Sequence, residues 1–180
     1  MMFLEAGEPF GVVGGVTDVT MGAVDVETFY LASYQRLVGI LTLAANSRED
    51  AEEVVQEAFV RLLGRWAKIS QYDDPEAWVR AVAFRLLSNR FRKSRNRRIA
   101  HARILEPEHV EAHPSVDPDL LHALSRLPIA QRQVVVMHYL LDLDVAQVAI
   151  QLKIAPGTVK SRLSRARSAL EPMLSEETHV

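Results

Sequence analysis

Between residues 51 and 66, apolar side chains recur as Ala51, Val54, Val55, Ala58, Phe59, Leu62, Leu63 and Trp66. Steps of three and four trace one face of an α-helix and exclude a strand, where the period is two. Such a stripe must be covered, so neighbouring helices are expected on either side of it. Ser47, three residues before Asp50, opens this helix with a capping pattern. An earlier helix follows Asp25, with Phe29, Tyr30, Leu37, Ile40, Leu41 and Ala44 on one face. A third begins at Pro75, a residue suited to the first helical position, and carries Trp78, Ala81, Val82 and Leu86 before running into NRFRKSRNRR. Residues 25–98 are therefore expected to form one small helical domain.

Residues 99–117 keep no apolar period, hold Pro107 and Pro114, and are expected to be a flexible linker. Helix resumes after Asp117, with Leu120, Leu121, Leu124 and Leu127 on its buried side, and Pro128 breaks it. A second helix is expected from about Ile129 to Leu140. Asp144 then caps a short one carrying Val145, Val148 and Leu152, and Pro156 opens the last. The expected fold is all-α: two small helical domains joined by a flexible linker, the C-terminal one, 118–174, a helix-turn-helix. Residues 1–24 and 175–180 are expected to be tails, with Met21 a second candidate start. The glycines of GVVGG have neither the spacing nor the strand–loop–helix setting of a phosphate loop.

With 48% apolar and 24% charged residues the chain has material for cores. It has no cysteine, which excludes disulfides and thiolate metal sites. No apolar run reaches the roughly 18 residues of a membrane span, and MMFLEAGEPF carries acids where a signal peptide begins positively. A cytoplasmic protein without membrane insertion is expected. The net charge of −2 conceals a segregation. From Val79 to Leu105 there are nine Lys/Arg and no Asp/Glu, and from Gln151 to Leu170 five and none. Glu49, Asp50, Glu52, Glu53 and Glu57 crowd the start of the second helix. Two basic surfaces and one acidic surface imply more than one charged partner.

In the last helix Val159, Leu163, Ala166 and Leu170 form the apolar stripe. The opposite side presents Gly157, Ser161, Ser164, Arg165 and Ser168, flanked by Lys160, Arg162 and Arg167. Small polar residues let a helix approach the floor of the major groove, where Arg165 can offer a bidentate fork to a guanine edge. The flanking cations suit phosphates. A short helix, a three-residue turn and a basic helix make a helix-turn-helix.

The run LPIAQRQVVVMHYLLDLDVAQVAIQLKIAPGTVKSRLSRARSAL resembles the C-terminal promoter-reading domain of extracytoplasmic-function (ECF) sigma factors, above all in Gly157–Leu163 and Arg165–Arg167. The segment Asp50–Phe59 is similar to that family's polymerase-docking helix, and Pro75, Trp78 and the basic third helix follow at the expected distances. The resemblance covers about 27–98 and 118–171. It implies a non-catalytic initiation subunit that binds RNA polymerase core, recognises promoter DNA and helps melt it. Asp50, Glu53, Gln56 and Glu57 would meet the clamp helices of the largest subunit. Ser70, Gln71, Tyr72 and Asp73, in the loop from Ala67 to Asp74, would read the −10 element with Arg80, Arg85, Asn89, Arg92 and Lys93. Arg95, Arg97 and Arg98 would add phosphate contacts. Thr158, Lys160, Ser161, Arg162, Ser164, Arg165 and Arg167 would read the −35 element while the second domain holds the flap of the second-largest subunit. An anti-sigma factor is a further partner that the family implies. Trp66 and Trp78 offer stacking faces, but their apolar helical positions favour core packing.

Some positions depart from the family pattern. Arg85 and Asn89 stand where Asn and Asp are commoner, Ala155 replaces a hydroxyl cap, Gln147 a Glu and Lys153 a Gly. Outside the resemblance, a helix-turn-helix regulator independent of polymerase would leave the acidic helix unexplained. An enzyme would lack its site: of the six histidines, His109 and His113 stand four apart but in the linker, without an evident third ligand. No cofactor or metal is expected.

Overall fold

A computed structural model describes residues 25–100 and 118–175, with side chains as far as 93 in the first stretch and 173 in the second. The readings of the tails 1–24 and 176–180, of the linker from 101 onward with His109 and His113, and of the Arg95, Arg97 and Arg98 side chains lie outside the described residues. The elements are α1 (Val26–Ala45), α2 (Arg48–Leu63), α3 (Trp66–Ile69), α4 (Pro75–Ala100), α5 (Pro118–Arg126), α6 (Ile129–Val135), α7 (Val145–Leu152) and α8 (Pro156–Ser175). No strand occurs among the described residues.

The first group is built on α2. Its helix starts where the Ser47 side chain accepts a bond from Asp50 N at 3.1 Å. Just before it, Asn46 ends α1 in the left-handed region (φ 59°), its N–H bonded to Thr42 O, so the chain reverses within two residues. Ala51, Val54, Val55, Ala58, Phe59 and Leu62 are buried against α1 on one side and α4 on the other. Phe59 sits among Phe29, Tyr30 and Tyr34, with the Tyr30 ring 4.9 Å away edge-on. From α4 come Val79, Val82, Ala83, Phe84 and Leu87, all buried. Asp74 accepts from Ala77 N at 2.9 Å and caps α4 just ahead of Pro75.

Two expectations change here. Leu63, counted in the buried stripe, is 62% exposed, because it lies about 100° round the helix from fully buried Leu62, past the edge of the covered face. The stretch from Ala67 is not all loop: Trp66–Ile69 forms one helical turn, pinned by buried Ile69.

In the second group α8 packs on α5, α6 and α7 through Val159, Leu163 and Ala166. The helix expected to run from Ile129 to Leu140 changes pitch midway, ending as a π-helical segment, Val136–Leu140, in which Val136 and Met137 stay buried. Arg132 is buried, and its Nη2 donates to Leu127 O at 2.9 Å and Ser125 O at 3.3 Å, satisfying carbonyls at the end of α5. Burial without a carboxylate partner pulls this guanidinium down to about 10. Asp144 and Gln147 form a reciprocal capping box on α7, so Gln serves where Glu is commoner. Lys153 ends α7 at φ 55°, which explains why glycine is usual there. At the start of α8 the Ala155 carbonyl accepts from Thr158 N and Val159 N, and its methyl offers no cap.

The two groups do not stand apart. α4 packs on α6 and α7, and α1 on α6, in one continuous apolar cluster. Across this junction Ser88 Oγ donates to Gln133 Oε1 at 2.8 Å, with Gln133 fully buried. Amphipathic periodicity shows which face of a helix is covered but not by which partner, so this packing was not legible beforehand.

Relieving the left-handed strain at Lys153 by Lys153→Gly is expected to raise stability by about 1 kcal/mol. A urea midpoint that rises with an unchanged m-value would show it.

Candidate nucleic-acid interface

The helix-turn-helix presents its basic helix as its period requires. Val159, Leu163 and Ala166 face inward, whereas Lys160, Ser161, Ser164, Arg165 and Arg167 are exposed and Thr158 and Arg162 half-buried. Ser161 Oγ donates to Thr158 O at 3.0 Å, folding its hydroxyl along the helix and keeping that surface low. A Cβ added at Gly157 would meet nothing within 4 Å, so the fold itself does not demand glycine there.

Arg162 turns toward the junction, where it lines a cleft of about 710 Å³ together with Arg85, Asn89 and Arg92 of α4 and Lys153. No Asp or Glu lines this cleft. Burial lowers the pKa of Arg85, with Arg61 adding like-charge repulsion, and burial likewise lowers that of Arg162. The structure thus brings two of the cationic sets predicted from sequence onto facing walls. Lys93 is exposed beyond the cleft, whereas Arg80 is half-buried, its Nη2 3.9 Å from Asp74 and its Nε buried without a partner.

A second recess, of about 470 Å³, lies at the start of α3 and is walled by Trp66, Trp78, Tyr72, Arg65 and Lys68, among others. Of the four loop residues expected to read DNA, Tyr72 lines it, while Ser70, Gln71 and Asp73 do not. Gln71 and Asp73 are exposed and Ser70 is half-buried. Trp66 packs on Phe29 with ring centroids 5.2 Å apart, and both tryptophans pack against the core cluster. Each therefore combines a packing role with an aromatic edge on the recess.

On α2 the four residues assigned to docking share one solvent-facing side, and each has an internal partner. Arg90 of α4 bonds Asp50, Nε to Oδ1 at 2.6 Å, and also pairs with Glu53. Gln56 Nε2 donates to Tyr34 Oη at 3.3 Å, and Glu57 pairs with Arg61 one turn on. Val60 continues the same side, 66% exposed. Arg90 and Val60 were missed by sequence reasoning: Arg90 disappears in a run of cations, and a single exposed valine carries no pattern.

A basic helix-turn-helix joined to an acidic helix and a second basic helix is the architecture of a promoter-recognition subunit of bacterial RNA polymerase. The comparisons agree. The model of sigma-70 region 2 matches residues 29–98, and that of sigma-70 region 4 matches residues 118–170. The probable RNA polymerase sigma-C factor of Mycobacterium bovis is 30% identical over 128 residues, 67% of this chain and 68% of the relative. The ECF RNA polymerase sigma factor SigM of Mycobacterium tuberculosis is 29% identical over 147 residues, covering 78% and 72%. The sigma factor RpoE of Bartonella quintana, solved in complex with the anti-sigma factor NepR, shares the fold with a TM-score of 0.67 at 22% identity, over 84% of this chain and 97% of that one. The chain belongs to the ECF RNA polymerase sigma factors, which direct promoter recognition and transcription initiation. No described helix is long and apolar enough to cross a membrane.

Packing and recognition separate by substitution at the recess. Trp66→Ala is expected to cost about 2 kcal/mol through lost aromatic packing. Tyr72→Ala, 43% exposed, is expected to change stability by less than about 0.5 kcal/mol while lowering open-complex formation. Chemical denaturation and permanganate footprinting of the melted promoter measure the two effects.

Proposed function

We propose that residues 25–98 dock on the polymerase and read the −10 element, and that residues 118–174 read the −35 element. The observation that carries this reading is the outward face of α8, where Lys160, Ser161, Ser164, Arg165 and Arg167 stand exposed on a helix-turn-helix without an acid among them. Arg165 addresses a base edge; Lys160, Arg162 and Arg167 hold phosphates, and Thr158, Ser161 and Ser164 allow close approach. The open space over Gly157 fits the same approach.

In the first domain Asp50, Glu53, Gln56 and Glu57 engage the clamp helices of the largest subunit, and the second domain holds the flap. Arg85, Asn89, Arg92 and Lys93 follow the promoter along α4. Ser70, Gln71, Tyr72, Asp73 and Arg80 gather at its start, where a base leaving the stack finds the aromatic recess. A duplex does not fit a cleft of about 710 Å³, so Arg85 and Arg162 reach DNA only once the two domains separate. The polymerase supplies that separation by holding each domain at its own site, and it makes the second DNA contact effectively intramolecular. The subunit is non-catalytic and works in the cytoplasm, where an anti-sigma factor is an expected regulator.

In vitro transcription with bacterial core polymerase on genomic fragments tests this reading. New start sites are expected only when the protein is added, and Arg165→Ala is expected to reduce them roughly five- to 150-fold, from the loss of about 1–3 kcal/mol at one base pair. Failure to co-purify with core polymerase and to start transcription on any fragment would leave a free-standing regulator as the better reading.

A further inference from the structure

Arg90 belongs to the promoter-facing helix, one residue from Asn89 and two from Arg92, yet its guanidinium points away from that work. It reaches across to α2, bonds Asp50 Oδ1 at 2.6 Å through Nε and pairs with Glu53 through Nη1. Two of the four docking carboxylates and amides are therefore held by one cation from another helix. Glu57 is also paired, but with Arg61 on its own helix, a partner that moves with it. Asp50, Glu53 and Arg90 all keep solvent contact, Arg90 with 43% of its side chain exposed, Glu53 with 49% and Asp50 with 23%. An exchange of partners there needs no unfolding, and exposed pairs of this kind are weak enough to exchange.

We propose that Arg90 is a positioning residue that couples docking to DNA binding, occupying in the free protein the place that a polymerase cation takes on Asp50 and Glu53. Displaced by docking, Arg90 joins the cations of α4 that face the promoter backbone. One side chain thus lowers affinity for the polymerase and, once released, raises affinity for DNA. This rests on the docking reading of α2 given above.

The test compares the full-length chain with Arg90→Ala, Arg90→Lys and Arg61→Ala. The Arg61→Ala variant removes the same charge and leaves the bonds from Arg90 to Asp50 and Glu53 in place. Affinity for core polymerase is measured by fluorescence anisotropy, and promoter affinity of the assembled holoenzyme across a salt series. Arg90→Ala is expected to bind core about two- to fivefold more tightly, while its holoenzyme binds promoter more weakly with a salt slope reduced by about 1. Arg90→Lys restores the slope, and Arg61→Ala leaves it unchanged. Core binding by Arg90→Ala that is unchanged or weaker overturns the proposal, as does a salt slope equal to that of the parent chain. Glu57→Arg checks the underlying surface separately. If it binds core normally, α2 is not the docking face and both readings fall; if it binds poorly while Arg90→Ala has no effect, only the Arg90 proposal falls.

Discussion

The burial of the α2 stripe between α1 and α4 is the contact on which the remaining geometry depends. Ala51, Val54, Val55, Ala58, Phe59 and Leu62 occupy one side of a helix whose other side is acidic. Once that stripe is covered, the acids are left on the opposite side, where Arg90 of α4 reaches Asp50 and Glu53. Alanines at 51 and 58 keep the helix close to its neighbours, and Phe59 locks the crossing by filling the space between Phe29, Tyr30 and Tyr34. The same packing sets the azimuth of α4, because Val79, Val82, Ala83, Phe84 and Leu87 must point at α2. That leaves Asn89, Arg90, Arg92 and Lys93 on the outside. One apolar seam therefore orients an acidic face and a basic face on adjacent helices.

Charge segregation follows from the same logic. Neither basic window contains an acid, so any countercharge must come from another segment, as Asp50 and Glu53 provide for Arg90 and Asp74 for Arg80. Arg85 and Arg162 approach each other's cleft with lowered pKa values and no carboxylate in its walls. Burial is the main cause of both shifts, and the like charge that acts on Arg85 is Arg61 of α2.

Much of this was legible from residue order. The helical period located α1, α2, α4 and α8, and proline and capping residues located their starts at Ser47, Pro75, Asp144 and Pro156. The exposed set on α8 matches the face read from its 3.6-residue period, since a helix has only one way to bury Val159, Leu163 and Ala166. Departures arose where local signals are short. The turn at Trp66–Ile69 is too brief to show a period, and the π-helical segment after α6 differs from α-helix by one residue in its hydrogen-bond step, which a buried run of Val134–Met137 cannot reveal. Leu63 looked buried because periodicity does not fix how wide a covered face is, and only Leu62 of that pair lies within it.

The sequence by itself determined the helices, the sidedness of each, and the separation of acidic from basic surfaces, because these follow from local spacing and from which residues water tolerates. Only the tertiary structure decided which faces meet. That Ser88 bonds Gln133, that Arg85 and Arg162 share a cleft, and that Arg90 leaves its own helix face for Asp50 and Glu53 all depend on contacts between residues far apart in the chain. A spacing rule carries no information about such pairs, since a covered stripe is equally satisfied by any apolar partner of the right shape.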